Sequence, residues 1–306
     1  MQKKKTGPGE KVNIIMRPLQ KYVVSAMVLI GVSFHQSSTS GYEFSQLQKI
    51  YSSNAPLKTL ALSHSGDRVA FSTPARDTRG DIIIYHFATG KRKLVTTDDA
   101  LDSQPVWAPG DTQVYFFSNR EKEGGIYVSD LETKQVKRVS PSAVWCEFPD
   151  LSPDGKRLVY YCRKDKGYNL YELNLDTGKE VQLTSGEHFN FGPRYAARHK
   201  ILFYSKRQED FAIYELDTRT GKVSSMPGPG GFTFQPTPYI DNENYFCVSN
   251  LKGANDLYLV SRSGNFKAVH PSASQDLYPV YSKPQKKLYF ISQREGDYAI
   301  FSTTLQ

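Results

Sequence analysis

What this 306-residue chain has little of narrows its chemistry before any pattern is read. Three cysteines, Cys146, Cys162 and Cys247, are too few for a disulfide framework, and the odd count leaves at least one unpaired. The six histidines, His35, His64, His86, His188, His199 and His270, are scattered without H-x-H or H-E-x-x-H spacing, and no C-x-x-C occurs. No metal ligand set is therefore expected. There is no G-x-S-x-G nucleophile elbow. The run Pro227-Gly228-Pro229-Gly230-Gly231 lacks the Gly-Lys-Ser/Thr ending of a phosphate loop and reads as a flexible connection. An enzyme is not expected, nor a cofactor.

Long hydrophobic runs are also missing. The apolar stretch from Tyr22 to Phe34 is uncharged over thirteen residues, short of the roughly 20 that a membrane span needs. Lys3, Lys4, Lys5, Lys11, Arg17 and Lys21 precede it, and small polar residues from Ser37 to Gly41 follow. A basic start, a short apolar stretch and small residues at the exit make a signal-peptide profile over residues 1–40, with cleavage near Ser40. Left uncleaved, the same segment would tether the protein to a membrane. Met16 begins a more ordinary signal peptide than Met1 does. A periplasmic or otherwise exported product is expected.

The charge balance depends on that segment. The whole chain carries 39 Lys and Arg against 31 Asp and Glu, a formal +8. Six of those bases and one acid precede Gly41, which leaves +3 for residues 41–306. No Lys/Arg block interleaved with aromatics remains, so nucleic acid is not an expected partner.

What the chain does have is a repeat. Pro105, Pro149, Pro193, Pro236 and Pro279 are 44, 44, 43 and 43 residues apart, and Leu60 holds the equivalent place one spacing earlier. The cleanest copy runs from Phe148 to Ser185. It reads as a short strand, a Ser152-Pro153-Asp154-Gly155 turn, a strand over Arg157 to Cys162, a third over Tyr168 to Asn174, a turn at Gly178 and a fourth over Glu180 to Thr184. Four strands per repeat at a period in the forties signals a propeller blade. The last copy runs out of chain after its third strand, while Phe44 to Ser52 resembles a spare fourth strand at the start. The expected fold is all-β, a six-bladed β-propeller over residues 41–306 whose last blade is closed by the N-terminal strand, which would hide the sheet edges.

The heads Pro105-Val106-Trp107-Ala108-Pro109-Gly110-Asp111 and Pro149-Asp150-Leu151-Ser152-Pro153-Asp154-Gly155 resemble the repeat of TolB-like propellers. The resemblance is strong in the first three copies and eroded in the last three. It implies a scaffold or interaction role in the cell envelope, although the same blades occur in peptidase accessory domains and in some polysaccharide lyases. TolB itself carries an α/β domain ahead of its propeller, for which this chain has no room.

In a propeller the residues just before each head converge on one rim of the channel. That places Asp102, Asn190 and Asp276, with Ser103 and Glu147, beside the aromatics Trp145, Phe189 and Phe232. Carboxylates next to aromatic rings suit a protein or peptide partner anchored by an apolar side chain and a basic group. Asp and Asn also cap their own loops, which would explain the same letters. Cys247 falls on an alternating strand position and reads as a small buried hydrophobe, whereas Cys146 and Cys162 share a copy and are left open as a pair. A monomer that binds an envelope protein or peptide at this rim is the first expectation. A carbohydrate-active or sugar-binding propeller resembling oligogalacturonate lyases is the alternative.

Overall fold

A computed structural model describes residues 42–306, apart from 75–79, 142–143, 165–166, 208, 239 and 242. The signal-peptide region lies outside these residues. The described part is entirely strands and turns, and no helix in it is long and apolar enough to cross a membrane.

After β1 (Gln48–Ser53), strands follow in groups of four joined by tight turns. β2 (Lys58–Leu62), β3 (Arg68–Thr73), β4 (Asp81–His86) and β5 (Arg92–Leu94) form one antiparallel sheet. β6 (Asp102–Trp107), β7 (Gln113–Ser118), β8 (Gly125–Asp130) and β9 (Val136–Arg138) form the next. β10 (Cys146–Leu151), β11 (Arg157–Lys164), β12 (Gly167–Asn174) and β13 (Glu180–Gln182) precede β14 (Phe189–Ala197), β15 (Lys200–Lys206), β16 (Phe211–Asp217) and β17 (Val223–Ser225). A parallel contact of Tyr168 with Phe189 joins these two groups into one eight-stranded sheet. β18 (Thr233–Phe234), β19 (Asn244–Lys252), β20 (Ala254–Ser261) and β21 (Phe266–Val269) come next. Finally β22 (Asp276–Ser282), β23 (Lys287–Glu295) and β24 (Asp297–Thr304) take β1 as their outer member, in the order β1-β24-β23-β22.

Alternation along the strands builds the core. Strands such as β3 and β7 are buried on both faces because each sheet packs against a neighbour. Val106, Ile126 and Val128 of one sheet meet Leu158, Tyr160 and Tyr171 of the next. Leu60, Val69 and Phe71 near the start pack on Tyr289, Ile291 and Ile300 near the end. The turns lock neighbours together as well. Asp111 accepts hydrogen bonds from the His64 and Ser65 amides at 2.8 and 2.9 Å, and the Gln285 amide donates to the Gly66 carbonyl at 2.8 Å. Burial pulls the Asp111 carboxyl up, yet those backbone donors outweigh it and hold the group below its ordinary value.

One feature of the first strands recurs in every group. Thr59, Gln104, Phe148, Gly192, Gln235 and Tyr278, each immediately before its head residue, all have left-handed φ between 49° and 59°. In β2, β6, β10, β14 and β22 the register shifts at that residue, so each strand bends by a bulge. Non-glycine residues held there cost on the order of 1–3 kcal/mol each. Side-chain acceptors offset part of this by bridging neighbours: the Gln104 amide donates to Thr59 Oγ1 at 3.0 Å, the Phe148 amide to Gln104 Oε1 at 2.6 Å, and the Tyr278 amide to Gln235 Oε1 at 2.8 Å. All six line one narrow cavity of about 30 Å³, room for a water or two.

Gly192 is the copy without a side chain for a reason of space. A Cβ there would stand 2.6 Å from the Tyr204 ring. Gly192→Ala is therefore expected to lower stability by about 1–3 kcal/mol through overpacking, measured as a shift in the urea midpoint at unchanged slope.

Candidate functional site

The rim residues expected from the sequence divide into two sets. Asp102, Asn190 and Asp276 are not rim groups at all, because each is fully buried. They are first residues of β6, or lie at the start of β14 and β22, and the period-two alternation turns them between sheets rather than towards solvent. Each meets an arginine from the end of the next strand. Arg120 reaches Asp102 at 3.2 Å, Arg207 reaches Asn190 at 3.2 Å, and Arg294 reaches Asp276 at 2.6 Å.

Those arginines lie over aromatic pairs. Arg120 covers Phe116 and Tyr127, Arg207 covers Phe203 and Tyr214, and Arg294 covers Phe290 and Phe301, all within 6 Å of the ring centroids. The same cross-strand slot holds Asp102 opposite Ser118, Asn190 opposite Ser205, Thr233 opposite Ser249 and Asp276 opposite Ser292. In β10 and β11 it holds Cys146 opposite Cys162, and the two are joined as a disulfide. Cys247 is free and buried, and burial pushes its thiol up.

The second set forms a surface. Nine rings, Phe148, Tyr161, Tyr168, Phe189, Phe191, Tyr204, Phe211, Phe232 and Phe234, stand in unbroken contact with centroids 4.7–6.3 Å apart. They run from the cavity wall, which Phe148 and Tyr204 line, out to Phe189, which is 42% exposed. Glu147 is half-buried beside them. It accepts hydrogen bonds from Trp145 Nε1 at 2.7 Å and from the Tyr161 hydroxyl. Burial first, and then the Glu147 charge, push the Tyr161 hydroxyl well above its ordinary range, so it stays a donor to the carboxylate. Trp145 packs on Phe117 at 5.3 Å, and Ser103 is half-buried in β6 opposite Phe117.

The mouth is thus an aromatic wall with one carboxylate in it, floored by the six left-handed residues. Below the floor Arg194 pairs with Asp150 at 3.2 Å. Of Phe148, Tyr161, Tyr168, Tyr204 and Phe211, which the sequence does not single out, all but Phe148 come from second and third strands, which no count from the head prolines reaches. Among the described residues no group of three or more His, Cys, Asp or Glu stands where it could hold a metal ion.

Four-stranded antiparallel units around a narrow axial cavity define an all-β propeller. Residues 105–245, a little under half of the chain, match the family model described as the TolB beta propeller domain. The crystal structure of TolB from Acinetobacter baumannii is similar with a TM-score of 0.65 and 19% identity, covering 79% of this chain and 65% of that one. An oligogalacturonate lyase from Vibrio parahaemolyticus is similar with a TM-score of 0.60 and 11% identity over 86% of this chain and 96% of that one. Dipeptidyl-peptidase 5 of Porphyromonas gingivalis is 24% identical over 147 residues, 43% of this chain, and the match spans only 21% of that peptidase. Similarity at these identities carries the fold and leaves the function to the site.

The buried carboxylates make a pH prediction. Burial raises the Asp276 carboxyl to about 6, with Ser292 and Arg294 opposing and the Asp256 charge adding to the rise. A carboxyl raised in the folded state contributes stability that is present below its unfolded pKa, 3.8, and is lost as pH rises through about 6. Asn190 shows that an amide fits the same slot. Asp276→Asn should therefore gain on the wild type by about 2 kcal/mol between pH 4 and pH 7, read from denaturation midpoints across that range. A constant difference at all pH values would contradict it.

Proposed function

We propose that the protein is an exported, non-catalytic six-bladed propeller, closed by β1, whose channel mouth binds a protein or peptide partner of the cell envelope. The observation that carries the reading is the contiguous aromatic wall reaching from the cavity to exposed Phe189. Monomeric proteins seldom leave a large connected apolar patch without a use, and aromatic residues supply most hot-spot energy at interfaces. Glu147, fixed by Trp145 and Tyr161, adds a negative point for a basic group. The narrow floor leaves the mouth, rather than the full channel, for a partner segment to enter.

Closure by β1 is supported by its pairing with β24 and by the packing of Leu60 and Phe71 on Tyr289 and Ile291. Export is supported by the Cys146–Cys162 disulfide, which persists in oxidising compartments. The protein is read as a monomer, with no nucleic acid among its partners.

The test is capture from envelope extract by the immobilised full-length chain, beside Phe189→Ser, Phe232→Ser and Glu147→Gln variants. One envelope protein should be retained by the wild type and lost progressively, with about tenfold weaker binding for each ring removed. Equal capture by folded variants would overturn the reading. Binding or cleavage of oligogalacturonides by the purified protein would move it to the carbohydrate class instead.

A further inference from the structure

We infer that the outer edge of β16 is a second binding surface, which takes an extended basic segment of a partner polypeptide as an added strand. Three of the other third strands share a hydroxyl partner that β16 lacks. Ile82 in β4, Ile126 in β8 and Leu170 in β12 each donate their amide to a Thr or Ser fourteen residues further on: Thr96 at 3.0 Å, Ser140 at 2.9 Å and Thr184 at 2.9 Å. The matching residue of β16 is Ile213, and fourteen residues on stands Pro227. Proline offers neither a hydroxyl nor an N–H.

Ile213 still accepts the Met226 amide at 2.9 Å, so its peptide groups face outwards from β15. Its N–H then has no acceptor among the described residues. Phe211, two residues earlier, faces the same way. At the corresponding place elsewhere the chain is stitched to the next group, as where the Asp102 amide donates to Gly80 at 3.1 Å and the Cys146 amide to Gly124 at 3.1 Å. Among the described residues Phe211 has no such bond. β17 covers only Tyr214 to Leu216.

Beyond Met226 the chain turns away through the Pro-Gly run, leaving a groove of about 490 Å³ between β16 and Gly228, Gly230 and Gly231. A strand edge with open peptide groups facing a groove is the geometry of strand addition. The charge names the occupant. Glu209 and Asp210 line the groove, both are exposed, and neither has an ion pair among the described residues. An extended segment with Lys or Arg among β-branched residues supplies both the backbone partners and the complementary charge. The groove adjoins the channel mouth through Phe211, whose ring belongs to the aromatic wall, while Glu209, Asp210 and Ile213 do not.

The probe is the blocked peptide Thr-Lys-Val-Arg-Val-Lys-Thr, added to the full-length protein and followed by calorimetry and amide hydrogen exchange. Binding is expected, with slowed exchange at Phe211 and Ile213. A Glu209→Lys, Asp210→Lys double variant, altered only at exposed positions, should bind about tenfold more weakly. The same peptide N-methylated at alternate residues should not bind, since it cannot pair as a strand, while Phe189→Ser should leave binding unchanged. No binding at millimolar peptide, equal binding of the N-methylated peptide, or equal binding of an acidic peptide with Glu in place of Lys and Arg would each overturn the inference. A dimer in sedimentation that the double variant dissolves would assign the edge to a second copy of the chain and overturn it too.

Discussion

The left-handed residue ahead of each first-strand head is the constraint on which the rest of the structure depends. A proline at the head disfavours the right-handed helical region for the residue before it, and Gln104, Phe148, Gly192, Gln235 and Tyr278 are left-handed there, as is Thr59 ahead of Leu60. The resulting bulge bends each first strand at the same height. That bend brings the six residues around one small cavity, where the side chain of one caps the amide of the next. Three of the six strained residues, Gln104, Phe148 and Tyr278, are held in this way by a neighbour, which stiffens the floor beneath the mouth.

Above the floor, one cross-strand slot has been filled differently from sheet to sheet with the same packing demand. Asp with Ser needs an arginine, and Arg120 and Arg294 supply it. Asn with Ser leaves Arg207 without a carboxylate at that slot, and burial lowers the pKa of this arginine. Cys with Cys needs no counter-charge and forms the disulfide. The polar slots are structural, which leaves the rings of β10 to β18, with Glu147, as the surface on which recognition can occur.

The repeat was legible because proline spacing and turn glycines act locally, and local rules survive without knowledge of packing. The pairing of the first strand with the last was also within reach, since a missing fourth strand and a spare one can be counted; the structure pairs Gln48–Ser53 with β24 and bridges Phe44 to Leu305. Asp102, Asn190 and Asp276 were misplaced because they belong to strands, where facing alternates, and not to loops, where it does not. Their arginine partners were visible as a regular offset of 17 or 18 residues, but only pairing registers turn an offset into a contact. Cys146 and Cys162 already occupied the aligned positions of Asp102 and Ser118, so the repeat itself held the signal for their bond. The aromatic wall was hidden because its rings come from different strands of consecutive sheets.

The central claim is that a partner enters the channel mouth. The most direct test places a photoactivatable phenylalanine analogue at Phe189, on the wall, and separately at Val181, an exposed residue on the fourth strand β13. The account predicts one discrete crosslinked envelope protein from position 189 and none from position 181. The same adducts from both positions, or none from position 189 while 181 reacts, would contradict it.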